Sequence, residues 1–326
     1  MRNRYEALRS GEELDIGLYE SQVIEVIRSH VGSGQVLLAL SGGIDSAVCA
    51  ALLARAVPGK LHCIFVDHGL MRKNEGNEVE SAFESREVHL IRIDAETRFL
   101  TRLAGVTDPE MKRKIIGEEF IRVFEGEAKK LQGVEYLAQG TIYPDVLESG
   151  TENNAAIKSH HNVGGLPENI GFKGLVEPLY GLYKGEVREL GRHIGLPPAL
   201  TERQPFPGPG LAVRCIGEVT KEKLDILRDA DAIFRYEVEA AGIPAEQYFA
   251  ILTDTRSVGI IDDARAYGYT VALRAIRTVN FVTCEYVTLP HGLLGRVAER
   301  ITSEIPAVTR VVYDITNKPP ATIERE

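Results

Sequence analysis

The chain has 326 residues, of which 44% are hydrophobic and 26% charged, with a formal net charge of −9. This is the composition of an ordinary globular protein long enough for two domains with real cores, and its acidic balance argues against a broad nucleic-acid surface. No apolar run approaches a membrane span and the start, Met-Arg-Asn-Arg-Tyr-Glu, lacks the apolar core of a signal peptide, so the chain reads as cytoplasmic with no membrane partner.

Residues 19–31 carry helical periodicity through Val23, Ile24, Val26 and Ile27. An apolar strand over 36–40 then runs into Ser41-Gly42-Gly43-Ile44-Asp45-Ser46, which opens an alanine-rich helix over 47–56. Pro58-Gly59 ends that helix, and 61–66 reads as a second buried strand ending in Val66. A polar helix over 73–86, a third strand over 87–93, helices over 96–104 and 109–131, and a fourth strand over 134–138 follow. Strands separated by helices predict an α/β fold with a doubly wound parallel sheet, whose ligands collect at the C-terminal strand edge. The Ser-Gly-Gly turn, Asp67-His68-Gly69 and Gly140-Thr141 all fall at that edge.

Residues 144–174 break the rhythm with glycine, proline and polar residues, as a functional lid would. The adjacent His160 and His161 lack the spacing of a helical metal pair, so the reading is closure onto an anionic nucleotide. Lys158 then supplies charge, and the imidazoles with Asn162 supply hydrogen bonds; a solvated loop is the alternative. A helix over 182–194 contains Lys184, and the segment from Arg203 to Leu211 is too proline-rich for helix or inner strand, which suits a stiff connector or a rigid binding loop. A helix over 221–241, strand-like runs at 248–253, 269–276 and 309–315 and a helix over 292–304 predict a smaller α+β domain with one sheet. The expected division is 1–203 and 204–326, the second part thin enough to bury a face against another copy. The four cysteines, Cys49, Cys63, Cys215 and Cys284, lie far apart in apolar contexts and read as buried thiols.

The turn after the first strand carries the chemistry. Its glycines free the backbone, the helix behind it points N–H groups and partial positive charge at an anion, and Ser41 and Ser46 add hydroxyl donors. Asp45 is out of place in a purely anion-binding loop and suggests a metal ion. The Gly-x-x-x-x-Gly-Lys pattern is absent. The turn resembles instead the Ser-Gly-Gly-x-Asp-Ser loop of the N-type ATP pyrophosphatases, which split ATP between its α- and β-phosphates and adenylate a substrate oxygen.

The resemblance extends through 140–149, the Lys-Ser-His-His-Asn stretch of the lid, 205–214, and the tail from Val311 through Ile315 and Lys318-Pro319-Pro320-Ala321-Thr322-Ile323-Glu324. Together these resemble the glutamine-hydrolysing GMP synthase family over essentially the whole chain. The resemblance implies an adenine nucleotide alpha hydrolase-like domain followed by a dimerisation domain that binds XMP. It implies a ligase of GMP (purine) biosynthesis in which magnesium-bound ATP adenylates XMP at O2, releasing pyrophosphate, and ammonia displaces AMP. A glutaminase domain is not recognisable in the sequence, so the expectation is the synthetase subunit of a two-subunit form, a homodimer served by a separate glutamine amidotransferase.

By the same resemblance, Asp45, Ser46, Lys158 and Lys184 are the expected catalytic residues. Ser41, Gly42, Gly43, Ile44, Asp45, Ser46, Val66, Gly140 and Thr141 would hold ATP and pyrophosphate, and Asp45 with Asp145 the magnesium. Arg72, His160, His161, Asn162, Pro209, Gly210, Lys318, Ile323 and Glu324 would hold XMP. The chain departs from the family text at Arg325, at Gly181 and Gly185 around Lys184, and over 277–286. A tRNA-modifying or NAD synthetase-like relative, or a nucleotide-binding homologue without turnover, is the alternative reading.

Overall fold

The computed structural model describes residues 5, 8, 14–84, 88–145, 171–261, 263–278 and 283–326. Most of the expected lid, with Lys158, His160, His161 and Asn162, lies outside the described residues. Unit 1 comprises Met1–His68, Asn74–Ala95 and Gly117–Arg203, and unit 2 comprises Gly69–Lys73, Glu96–Ile116 and Gln204–Glu326. Two segments preceding residue 203 therefore group with unit 2. The reason is local: the Leu70 carbonyl accepts from the Leu211 N–H (2.7 Å), and the buried Lys112 ammonium donates to the Ala212 and Cys215 carbonyls (3.3 and 2.9 Å).

Unit 1 is built on five parallel strands, β1 (Gln35–Ala39), β2 (Leu61–Asp67), β3 (His89–Asp94), β4 (Val134–Ala138) and β5 (Gly174–Val176). Their order is β3-β2-β1-β4-β5, so the topology reverses direction between β1 and β4. That is the point where the strand ends of such a sheet open a crevice. The Val-Leu-Leu run of β1 is covered on both faces, as a central parallel strand must be. Helix α1 (Ile16–Val31) is capped by Asp15, whose carboxylate accepts from the Leu18 N–H at 2.9 Å.

Helix α2 (Ile44–Ala56) is buried along most of its length, with Leu52 and Leu53 fully covered, each contributing about 1.5–3 kcal/mol of burial. Its alanines let neighbours approach closely. Helix α3 (Glu75–Phe83) follows β2, and helices α4 (Glu96–Leu103) and α5 (Pro109–Ala128) follow β3. Helix α6 (Lys184–His193) crosses α2 at Gly191, where a Cβ would lie 3.1 Å from both Val48 Cγ2 and Thr201 Cγ2. The short helix α7 is Pro198–Thr201. β5 and α7 were not foreseen, because three residues beside glycine and one turn beside two prolines leave no readable period.

In unit 2, β6 (Gln247–Ile261) and β7 (Ala264–Thr278) form a long antiparallel hairpin. β8 (Cys284–Tyr286) pairs antiparallel and β9 (Val308–Tyr313) parallel to β7, giving one four-stranded mixed sheet. Helices α8 (Lys221–Ala240) and α9 (His291–Glu304) complete the α+β arrangement. Phe249, Ile251 and Ala272 form a core cluster against which Ile216 and Ile323 pack. The proline-rich segment gives way to a 3-10 turn over Gly210–Val213. All four cysteines are buried and free. Among the described residues, no helix is long and apolar enough to cross a membrane.

Candidate active site

The turn between β1 and α2 has the form of an anion cradle. Gly42 sits at φ +80°, a left-handed conformation that disfavours any residue with a Cβ. Gly43 is extended (φ −77°, ψ 158°) and serves as the N-cap of α2, so only one of the two glycines is demanded by backbone angle. No side chain caps α2, which leaves its first-turn amides for a ligand.

The two serines shape the turn. Their hydroxyls share a hydrogen bond of 3.1 Å, Ser46 Oγ donates to the Gly43 carbonyl (3.0 Å) and accepts from the Ser41 N–H (3.2 Å), and Ser41 Oγ accepts from the Gly43 N–H (3.4 Å). Ser46 is buried, so its evident work is to hold the loop, while Ser41 is exposed at its mouth.

Asp45, in the first turn of α2, accepts from Lys184 Nζ at 2.6 Å through Oδ2. Two of the four expected catalytic residues therefore stand as a pair, placed together by the close crossing of α6 over α2. Asp45 Oδ1 is buried without a hydrogen-bond partner. A buried, orphaned carboxylate oxygen beside an anion cradle fits a divalent cation, since it costs free energy unless something coordinates it. Among the described residues there is no group of three or more His, Cys, Asp or Glu able to hold a metal. Magnesium does not need one, because it is commonly bound by one or two carboxylates together with substrate phosphates and water. Asp145 Oδ2 accepts from the Ile142 N–H at 3.0 Å, closing the turn after β4.

Gly140, at the end of β4, lies directly against the cradle. A Cβ there would sit 2.9 Å from the Asp45 carbonyl carbon and 3.1 Å from Ser46 N. The Thr141 hydroxyl donates to Glu177 Oε1 at 2.9 Å, and both residues are buried. Glu177, just beyond β5, was missed by sequence reasoning. The Val66 and Ile44 side chains are buried in β2 and at the start of α2, so any polar group they offer is on the backbone.

Among the described residues, the remaining predicted ones belong to unit 2. Arg72 is buried, donates through Nη2 to the Pro205 carbonyl (3.2 Å) and lies 4.2 Å above the Phe206 ring. Gly210 has φ +64°, and a Cβ there would overlap the Leu70 carbonyl; Pro209 is the cap of the same 3-10 turn. The backbone of Lys318 pairs with Cys284 (2.8 and 3.1 Å), and among the described residues its ammonium is in no ion pair. Ile323 packs into the core cluster and its carbonyl accepts from Arg274 Nε (3.1 Å).

Glu324 receives a two-pronged bond from Arg214, Nε to Oε2 at 2.9 Å and Nη2 to Oε1 at 2.8 Å. The tail is thus docked rather than frayed. Three buried cations hold it: Arg214, Arg274 and Lys112, the last bonded to Glu326. Arg214 also lies 3.8 Å over the Phe249 ring and 5.3 Å from that of Phe206. None of the three was singled out from sequence; a charged residue inside an otherwise apolar stretch, as Arg274 is, was the available signal.

The chain is similar to several known proteins. Residues 237–325 match the GMP synthase C terminal domain. The chain is 60% identical over 308 residues to "GMP synthase [glutamine-hydrolyzing]" of Treponema denticola, covering 94% of this chain and 59% of that protein. It is 56% identical over 324 residues to the protein of the same name from Finegoldia magna, covering 99% of this chain and 64% of the relative. The chain therefore spans about 60% of the length of the curated relatives it matches. Among solved structures, an NMN synthetase from Francisella tularensis aligns with a TM-score of 0.44 at 17% identity, covering 67% of this chain and 87% of that one.

Proposed function

We propose that this chain carries out the synthetase reaction of GMP formation. The O2 oxygen of XMP attacks the α-phosphorus of ATP, the bond to the bridging oxygen breaks, and pyrophosphate leaves. Ammonia then adds at C2 and AMP departs, giving GMP. The observation that carries this reading is the uncapped cradle with its left-handed Gly42 and its orphaned Asp45 oxygen, in a chain 60% identical to a named GMP synthase.

Unit 1 is assigned ATP. Charge develops on the departing pyrophosphate, and the first-turn amides of α2, with the helix dipole behind them, meet it without reorganising. Lys184, released from Asp45, neutralises phosphate charge. Magnesium bound with ATP supplies Lewis-acid charge neutralisation, and Asp45, with Asp145 as the second carboxylate, would hold it. Ser41, Gly42, Gly43, Ile44, Ser46, Val66, Gly140 and Thr141 form or support the rest of the nucleotide surface. Arg72, Pro209, Gly210, Lys318, Ile323 and Glu324 are assigned to XMP, with His160, His161, Asn162 and Lys158 closing over the nucleotides. The functional division proposed is 1–203 for adenylation and 204–326 for dimerisation and XMP binding.

Ammonia is assigned to a glutaminase outside these 326 residues. A second copy is assigned to the C-terminal sheet, supported by exposed Val258, Ile260, Tyr267, Val312 and Ile315. Sedimentation of the chain should give a dimer, and Ile260→Lys with Tyr267→Lys a monomer.

The decisive assay is release of AMP and pyrophosphate from ATP with XMP and ammonium. We expect XMP-dependent AMP and stoichiometric GMP, with no product from glutamine alone until a glutaminase is added. Asp45→Asn, which keeps the volume, should lower the rate at least about 100-fold. AMP formation indifferent to XMP would refute the reading.

A further inference from the structure

Behind an anion-binding turn every carbonyl needs a donor of its own, because an unpaired carbonyl swung towards the ligand would repel it. The Gly43 carbonyl is met by Ser46 Oγ (3.0 Å) and by the Ala47 N–H (3.1 Å), both from the adjoining helix. The Gly42 carbonyl is met from much farther along the chain, by Arg203 Nη1 at 3.1 Å. The rest of that guanidinium is committed too. Nη1 also donates to Glu75 Oε1 (2.8 Å), Nη2 to Glu78 Oε2 (2.8 Å) and Nε to the Ala199 carbonyl (3.1 Å).

We infer that Arg203 is a positioning residue for the cradle: it fixes the Gly42 peptide so that the turn presents amides, and no carbonyl, to the departing pyrophosphate. This rests on the reading of the turn as the ATP site. Glycine opens the left-handed basin but does not select it, since it occupies several basins readily. Selection must come from bonds to the peptide itself: its N–H has only the long contact to Ser41 Oγ (3.4 Å), and Arg203 supplies the shorter one, at its carbonyl (3.1 Å). Two carboxylates face one guanidinium, with Glu75 almost fully buried, so the cluster carries no net positive charge to offer a phosphate. Its contribution is geometric. A lysine cannot reproduce it, because one ammonium lacks the planar fork that reaches two carboxylates and a carbonyl together.

The test uses the 326-residue chain with magnesium pyrophosphate and adenosine as calorimetric probes, beside steady-state kinetics. Arg203→Lys keeps the charge. The pair Arg203→Gln with Glu75→Gln removes a charge together with its buried counter-charge, and so guards against simple misfolding. We expect pyrophosphate to bind about tenfold more weakly in both, the loss of one hydrogen bond made by a charged group. Adenosine binding and the thermal midpoint of the double variant should stay within twofold and a few degrees of the unaltered chain. The rate of AMP formation should fall with kcat/KM, and the defect should not shrink in 0.5 M salt, as the loss of a direct phosphate contact would (about one Debye length of screening at 4–5 Å). Unchanged pyrophosphate affinity, or parallel weakening of both probes, overturns the inference. Failure of the unaltered chain to bind pyrophosphate is a separate result that removes the cradle reading itself.

Discussion

At Gly210 two constraints coincide, a φ of +64° and a Leu70 carbonyl where a Cβ would go. Gly105 shares the left-handed backbone (φ +73°) but has nothing within 4 Å of an added Cβ. Gly105→Ala should therefore cost only the backbone term, about 1–2 kcal/mol, while Gly210→Ala adds about 1–3 kcal/mol of overpacking. Urea midpoints of the two variants separate the contributions, and equal losses would contradict the geometry. His62 supplies a pH-dependent counterpart. Burial, and then the imidazole of His89 stacked 5.0 Å away, hold its pKa below the ordinary 6.5. The unfolded chain then binds the proton more readily, so stability is intact above about pH 6.5 and declines as the pH falls below it. His89→Gln should flatten that decline without abolishing it, because the burial cause remains; a steeper decline would reverse the assignment.

The tail from Asp314 to Glu326 shows how an irregular segment is made into a fixed element. Arg274 bonds the carbonyls of Thr316 (3.0 Å), Thr322 (2.9 Å) and Ile323 (3.1 Å) and pairs with Asp314 at 3.2 Å. Arg214→Ala leaves the Glu324 carboxylate without its partner and should destabilise unit 2 by about 3–5 kcal/mol, with the tail becoming open to carboxypeptidase. Adding Glu324→Gln to that variant should recover part of the loss, since the stranded charge is then gone. The elements differ in how readable they were for a corresponding reason. β1, the cradle and α2 are contiguous, so their signals of apolar run, glycine and alanine sit side by side in the sequence. The hairpin strands were seen only over 248–253 and 269–276, where their buried residues lie, because the halves nearer the turn mix polar residues with exposed apolar ones such as Val258, Ile260 and Tyr267 and have no buried face to impose a continuous apolar run. The bonds that finish each site join residues more than 100 positions apart, Arg203 to Gly42 and Arg214 to Glu324, and no local pattern announces them.

For the molecule as a whole, the cysteines report on both units at once, Cys49 and Cys63 in unit 1, Cys215 and Cys284 in unit 2. Burial pushes the Cys215 thiol up to about 11 and raises Cys49 and Cys63 above the ordinary range. The native chain should give no reaction with a thiol reagent at pH 8 and four equivalents in denaturant; one fast thiol would mean that a unit opens without unfolding. The bond between Lys112 and Glu326 ties together residues that leave the ribosome at very different times. Domains generally fold as units during synthesis, the N-terminal one first. Unit 1 has all its parts once Arg203 is made, but the segment Glu96–Ile116 must wait for more than a hundred further residues before its buried ammonium finds a counter-ion. During that interval the nascent chain carries a lysine destined for burial, and burying its charge costs free energy until Glu326 is there to pair with it.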